Sequence, residues 1–76
     1  MIPYENLSRR SGITHYEFYE DYIAVQFAGE SKIYYYTEER ISKHHLETMK
    51  TLALSGKGLA TYINQNSAVR NNAVTK

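Results

Sequence analysis

Three histidines, two acidic dipeptides, six serines and one Gly-Lys-Gly step are the groups in this 76-residue chain whose types suggest reactive chemistry. His44 and His45 are adjacent, so on a helix their side chains diverge by about 100° and cannot close on one metal ion. His15 lies about thirty residues upstream, there is no cysteine, and no carboxylate stands at ligand spacing. No metal site is expected from such a set. A nucleophilic serine needs a base held by a third group, and serines 8, 11, 31, 42, 55 and 67 have no such context. Glu20-Asp21 and Glu38-Glu39 fall at a turn and a helix start, where structure explains them. Gly56-Lys57-Gly58 lacks the preceding strand and the remainder of a phosphate loop. Its amides, with Lys57 and Lys50 nearby, could still meet a phosphate, although helix capping explains the glycines better. The expectation is a chain that is not an enzyme, with no cofactor, no metal and no small-molecule substrate.

The remaining chemistry is aromatic. Tyrosine occurs eight times, three of them consecutive in Ile33-Tyr34-Tyr35-Tyr36. Such a run is either a strand with rings on both faces or a platform on which bases stack. From Ser11 to Thr37 the chain is rich in Tyr, Phe, Ile, Val and Thr, which suit a pleated surface. A two-residue turn at Gly29-Glu30 pairs Phe27 with Lys32, Val25 with Tyr34 and Ile23 with Tyr36. A turn at Glu20-Asp21 pairs Phe18 with Ile23 and Tyr16 with Val25. Opposed residues share a face. Both turns therefore collect Tyr16, Phe18, Ile23, Val25, Phe27, Tyr34 and Tyr36 on one inner face. A slip of one residue in either turn would scatter that set. His15, Tyr19, Tyr22, Gln26, Ile33 and Tyr35 point the other way.

At Thr37 the period changes to that of a helix. Thr37 stands where a cap is needed, Glu38 and Glu39 suit the first turn, and Gly56 suits a left-handed end. Ile41, His45, Leu46, Met49, Leu52 and Ala53 form one stripe, with Arg40, Lys43, Glu47 and Lys50 opposite. Glu39 and Lys43 have the favourable i,i+4 order. His45, within the stripe, is expected to be half-buried and hydrogen-bonded. Leu59, Tyr62 and Ile63 repeat as one face of a short second helix that Asn64 would close. The predicted fold is α+β, with a three-stranded antiparallel sheet followed by two helices packed on one face. Residues 1–10 read as an N-terminal arm held to the sheet by Pro3 and Tyr4, 11–66 as a single domain, and 67–76 as a flexible C-terminal tail.

Size and charge narrow the partners. A chain this short buries only about 60–65% of its unfolded surface. No secretory signal or membrane span is evident, so a cytoplasmic location is expected. The net charge of +1 argues against a strongly basic nucleic-acid binder. Its distribution is uneven: residues 1–42 hold four basic against seven acidic side chains, and residues 43–76 hold five against one.

The segments "SGITHYEF", "YIAVQFAG", "IYYYT" and "LETMKTLALSGKGLATYIN" resemble the KTSC domain, named for the C-terminus of certain lysyl-tRNA synthetases and also found alone in small bacterial proteins. The resemblance covers about residues 8–66. It rests on Tyr34-x-Tyr36 and on the spacing of Met49, Lys50, Leu52, Ala53, Gly56, Gly58, Leu59, Tyr62, Ile63 and Asn64. Ala60 stands where family members usually have Asn, Val69 is displaced, and the closing Tyr is missing, which implies a lost C-terminal contact. By this resemblance Tyr34, Tyr36, Met49, Gly56, Gly58, Leu59 and Ile63 are structural. The function of the family is not established, and RNA binding is the usual suggestion.

RNA binding is the first functional expectation, and a protein-interaction or self-associating module is the alternative. In one, Lys43, Lys50, Lys57 and Arg70, with Arg9 and Arg10, contact RNA phosphates in a salt-dependent way. In the other, Tyr19, Tyr22, Ile33 and Tyr35 form an interaction face for another protein or a second copy of the chain. An open edge on the third strand offers a further route to self-pairing.

Overall fold

The computed structural model of the chain describes residues 1–7 and 12–76. Arg9 and Arg10 lie outside the described residues. The central hairpins form as the alternating pattern dictates. Strand β2 (Ile13–Tyr19) pairs antiparallel with β3 (Tyr22–Phe27), which pairs with β4 (Ile33–Thr37). The partners are Phe18↔Ile23, Tyr16↔Val25, Ile23↔Tyr36 and Val25↔Tyr34, the expected register. Pairing with β4 ends at Gln26↔Ile33, and the chain turns more widely than a two-residue loop. The Glu30 amide donates to the Phe27 carbonyl, so Ala28 and Gly29 are the central turn residues, with Gly29 at φ 79°.

Among the described residues the sheet has five strands rather than three. β1 (Ile2–Pro3) adds to β2, and β5 (Val74–Thr75) adds to β4, giving the order β1-β2-β3-β4-β5. Within the expected arm Ile2–Pro3 is an edge strand, and the expected flexible tail contains a short helix followed by another edge strand. Both edges are two residues long and one carries Pro3, a form that resists further strand addition. The open third-strand edge expected from sequence is occupied by β5.

One expected helix is two. α1 (Glu38–Ile41) and α2 (Lys43–Ser55) are separated by Ser42, whose φ of 82° breaks the ladder. The burial of residues on both sides of Ser42 explains the break. Ile41 and Leu46 are both buried, yet along one straight helix they would lie about 140° apart. Turning the chain at Ser42 brings Ile41 into the core while α2 presents Leu46, Met49 and Ala53. It also divides Glu39 from Lys43. Thr37 occupies the cap position of α1 but makes no side-chain cap bond. The Glu38 amide donates to the Asp21 carbonyl instead.

α3 (Leu59–Gln65) runs past Asn64 to an Asn66 cap, and α4 (Ser67–Arg70) follows directly. Val69 of α4 is wholly buried. The helices lie over the inner face, where Ile13, Tyr16, Ile23, Val25 and Tyr36 meet Leu46, Met49, Leu59, Ile63 and Val69. No helix is long and apolar enough to cross a membrane among the described residues.

The N-terminal segment crosses the end of α2. The Leu7 amide donates to the Gly56 carbonyl at 2.7 Å, and the Leu59 amide donates to the buried Tyr4 hydroxyl at 3.4 Å. Gly56 ends α2 at φ 79°, where an added Cβ would sit 2.8 Å from Glu5 Cβ. Gly29 has the same φ with nothing within 4 Å of its added Cβ. Gly29→Ala should therefore cost only the left-handed strain, about 1–2 kcal/mol. Gly56→Ala adds a backbone-level clash and should cost about 2–4 kcal/mol by urea denaturation. Equal losses at the two sites would mean that the N-terminal segment does not press on α2.

Candidate interaction face

The face of the sheet opposite the helices is built by parity. His15, Glu17 and Tyr19 of β2, Tyr22, Ala24 and Gln26 of β3, and Ile33, Tyr35 and Thr37 of β4 fall on it in register. Ala24 is fully buried beneath its neighbours. Around it runs a ladder of rings. Tyr19 and Tyr22 have centroids 5.3 Å apart, and Tyr22 and Tyr35 5.8 Å. Both spacings are within the range of favourable aromatic pairs. Tyr19 is exposed, whereas Tyr22, Ile33 and Tyr35 are half-buried. Burial lifts the Tyr22 hydroxyl above its ordinary pKa, and the nearby Glu17, Tyr19, Tyr35 and Asp21 add to the rise.

Charges stand at the two ends of this ladder. Lys76 Nζ sits 5.7 Å from the centre of the Tyr35 ring, held there because β5 pairs with β4. On the other side, Glu17 Oε1 is 3.9 Å from the Met1 ammonium. Lys76 is a residue of this face that sequence reasoning did not single out. Its only forewarning was the apolar Ala73-Val74 pair in an otherwise polar tail. His15 lies on the same face, opposite Pro3 and Gln26, and its buried Nδ1 has no hydrogen-bond partner among the described residues.

The triplet Tyr34-Tyr35-Tyr36 alternates as expected. Tyr36 is 2% exposed in the core. Tyr34 packs edge-on against Phe27 on the inner side, at 5.1 Å. Burial pushes the Tyr36 hydroxyl up to about 12, with smaller contributions from Tyr34 and Glu30. Among the other residues tied to the family resemblance, Met49, Leu59 and Ile63 are buried, Gly56 caps α2, and Gly58 has φ 87° at the start of α3.

The basic residues singled out from sequence do not converge. Lys43 opens α2 and Lys57 follows its end, so about 20 Å of helix separates them. Lys50 is already engaged: Nζ donates to Glu47 Oε2 and to the Glu20 carbonyl, each at 3.0 Å, and lies over the Phe18 ring. It ties α2 to the β2–β3 turn. Arg70 is on α4, where Nη1 donates to the Asn64 carbonyl at 2.7 Å. His45 Nδ1 and the Tyr62 hydroxyl are 2.6 Å apart, joining α2 to α3. His15 and His45 occupy opposite sides of the sheet. Among the described residues no cluster of three His, Cys, Asp or Glu side chains is placed to hold a metal. Comparison with family models, curated proteins and solved structures finds no match to this chain.

Proposed function

We propose that the chain is a non-enzymatic interaction module of the KTSC type that works through the open tyrosine face of its sheet, and that this face pairs with a second copy of the chain. The observation that carries the reading is the ladder Tyr19–Tyr22–Tyr35 with Glu17 toward one side and Lys76 at the other. Tyrosine-rich surfaces with few charges suit protein contacts, because each ring supplies large area at low entropic cost. A two-fold axis parallel to the strands would lay β2 of one copy over β4 and β5 of the other. Glu17 then approaches Lys76 of the opposite copy, so the pairing is charge-complementary as well as aromatic. Five strands at about 4.8 Å spacing give a face of roughly 400 Å², hence roughly 800 Å² buried by two copies. That is below the range of stable interfaces, and a weak, concentration-dependent dimer follows.

The alternative, phosphate contact by Lys43, Lys50, Lys57, Arg70, Arg9 and Arg10, has weaker support, since the described members are dispersed and Lys50 is neutralised by Glu47. Amide NMR spectra of the intact protein across a wide concentration range separate the readings. Self-pairing predicts dilution-dependent shifts at Tyr19, Tyr22, Ile33 and Tyr35, and their loss in Tyr22→Glu. Shifts that arise only on adding single-stranded RNA, centre on Lys43–Arg70 and vanish as salt rises would replace this reading with RNA binding.

A further inference from the structure

We infer that the cavity between the β3–β4 hairpin and helices α3 and α4 is a binding site for a free apolar α-amino acid. It lies on the helix side of the sheet and is independent of the tyrosine face. Its volume is about 180 Å³. That is smaller than the roughly 300–1,000 Å³ of sites for drug-sized ligands, and suits a small solute. A solute the size of leucine is the scale of molecule that such a space accommodates.

The lining has the chemistry of such a solute. Phe27, Tyr34, Tyr36 and Ile63 form an apolar wall, and Glu30 and Arg70 supply one charge of each sign. These two charges do not form an ion pair with each other; the ion pairs among the described residues are Met1–Glu17 and Lys50–Glu47. Each is instead positioned by another group. The Tyr34 hydroxyl donates to Glu30 Oε1 at 2.7 Å, and Arg70 Nη1 donates to the Asn64 carbonyl at 2.7 Å. The hydrogen bond to Glu30 also holds the Tyr34 hydroxyl above its ordinary pKa, so it stays protonated as a donor. Glu30 keeps its second oxygen for an ammonium group, and the guanidinium keeps N–H donors for a carboxylate. A molecule with an ammonium, a carboxylate and an apolar body meets all three demands. A simple fatty acid or amine meets two. This departs from the sequence expectation that no small molecule is bound.

The test is an amide NMR titration of the intact protein with L-leucine, leucinamide and isocaproate. The amide removes the carboxylate and the acid removes the ammonium. Leucine should shift the Tyr34, Asn64 and Arg70 signals saturably, with Kd on the order of 1 mM. Each analogue should bind about tenfold more weakly, as should leucine to Arg70→Gln and to Glu30→Gln. Both side chains are exposed, so the variants should fold, and unchanged spectra elsewhere will verify it. No saturable shift up to about 50 mM, or leucine binding no better than both analogues, would overturn the assignment.

Discussion

Replacing Tyr36 by alanine will remove about 3–5 kcal/mol of stability, while the same change at Tyr35 will cost about 1 kcal/mol. The two residues are neighbours of identical type in one strand. They differ in parity alone. Tyr36 is 2% exposed and touches the core that the helices close, whereas Tyr35 is half-buried on the open face. A chain of this length has a total stability of about 4–11 kcal/mol, at roughly 0.05–0.15 kcal/mol per residue. Tyr36→Ala should therefore leave a large unfolded fraction at room temperature in urea too dilute to affect the parent. Urea unfolding of both variants measures the contrast, and equal losses would refute the assignment of faces.

The Tyr36 hydroxyl adds a pH dependence. Its pKa is pushed from the ordinary value near 10 up to about 12 because burial disfavours the phenolate. The folded state keeps this proton where the unfolded state has lost it. The stabilisation is fully present below pH 10 and is lost as pH rises from about 10 to 12. Tyr36→Phe should keep most of the packing and make the decline shallower over that window. Tyr4, Tyr22 and Tyr34 are raised in the same direction, so some decline will persist in the variant.

Deleting residues 67–76 will destabilise the protein by about 3–5 kcal/mol and expose an aggregation-prone strand. The segment supplies Val69, which is wholly buried and whose loss alone is worth about 1.5–3 kcal/mol. It also supplies the paired bonds between Ile33 and Lys76, at 2.9 and 3.0 Å, and the Asn72 carbonyl that accepts from Arg40 Nε. Without β5, the Ile-Tyr-Tyr-Tyr strand is left as an open edge. The melting temperature should fall by more than about 12 °C, and light scattering on heating should begin earlier. A truncated chain that melts within a few degrees of the parent would mean that the C-terminal elements contribute nothing to the fold. Val69→Ala separates the packing loss from the edge loss, since it leaves β5 in place.

What the sequence determined by itself was local and periodic. Side chains alternate along a strand, and Gly29 and the Glu20-Asp21 step hold the hairpins in one register, so the inner and outer sets could be read from residue order alone. Gly56 likewise announced the end of α2, because a left-handed helix terminus favours a residue without Cβ. The antiparallel α+β character followed from these periods.

Tertiary structure decided the rest. β1 and β5 are two residues each and have no stability of their own. They exist because β2 and β4 offer unpaired backbone groups on which to lie. α4 is too short to form alone, and the core fixes it by accepting Val69. The break at Ser42 is absent from the periodicity because it answers a demand for Ile41 that only the packed sheet makes. Charge placement has the same origin: Lys50 and Lys76 are both plain lysines in the sequence, yet packing sets one on the Glu20 carbonyl and the Phe18 ring and the other over Tyr35. Local periodicity can assign a face to a residue, but which groups from distant segments share that face is settled by the packing that brings the segments together.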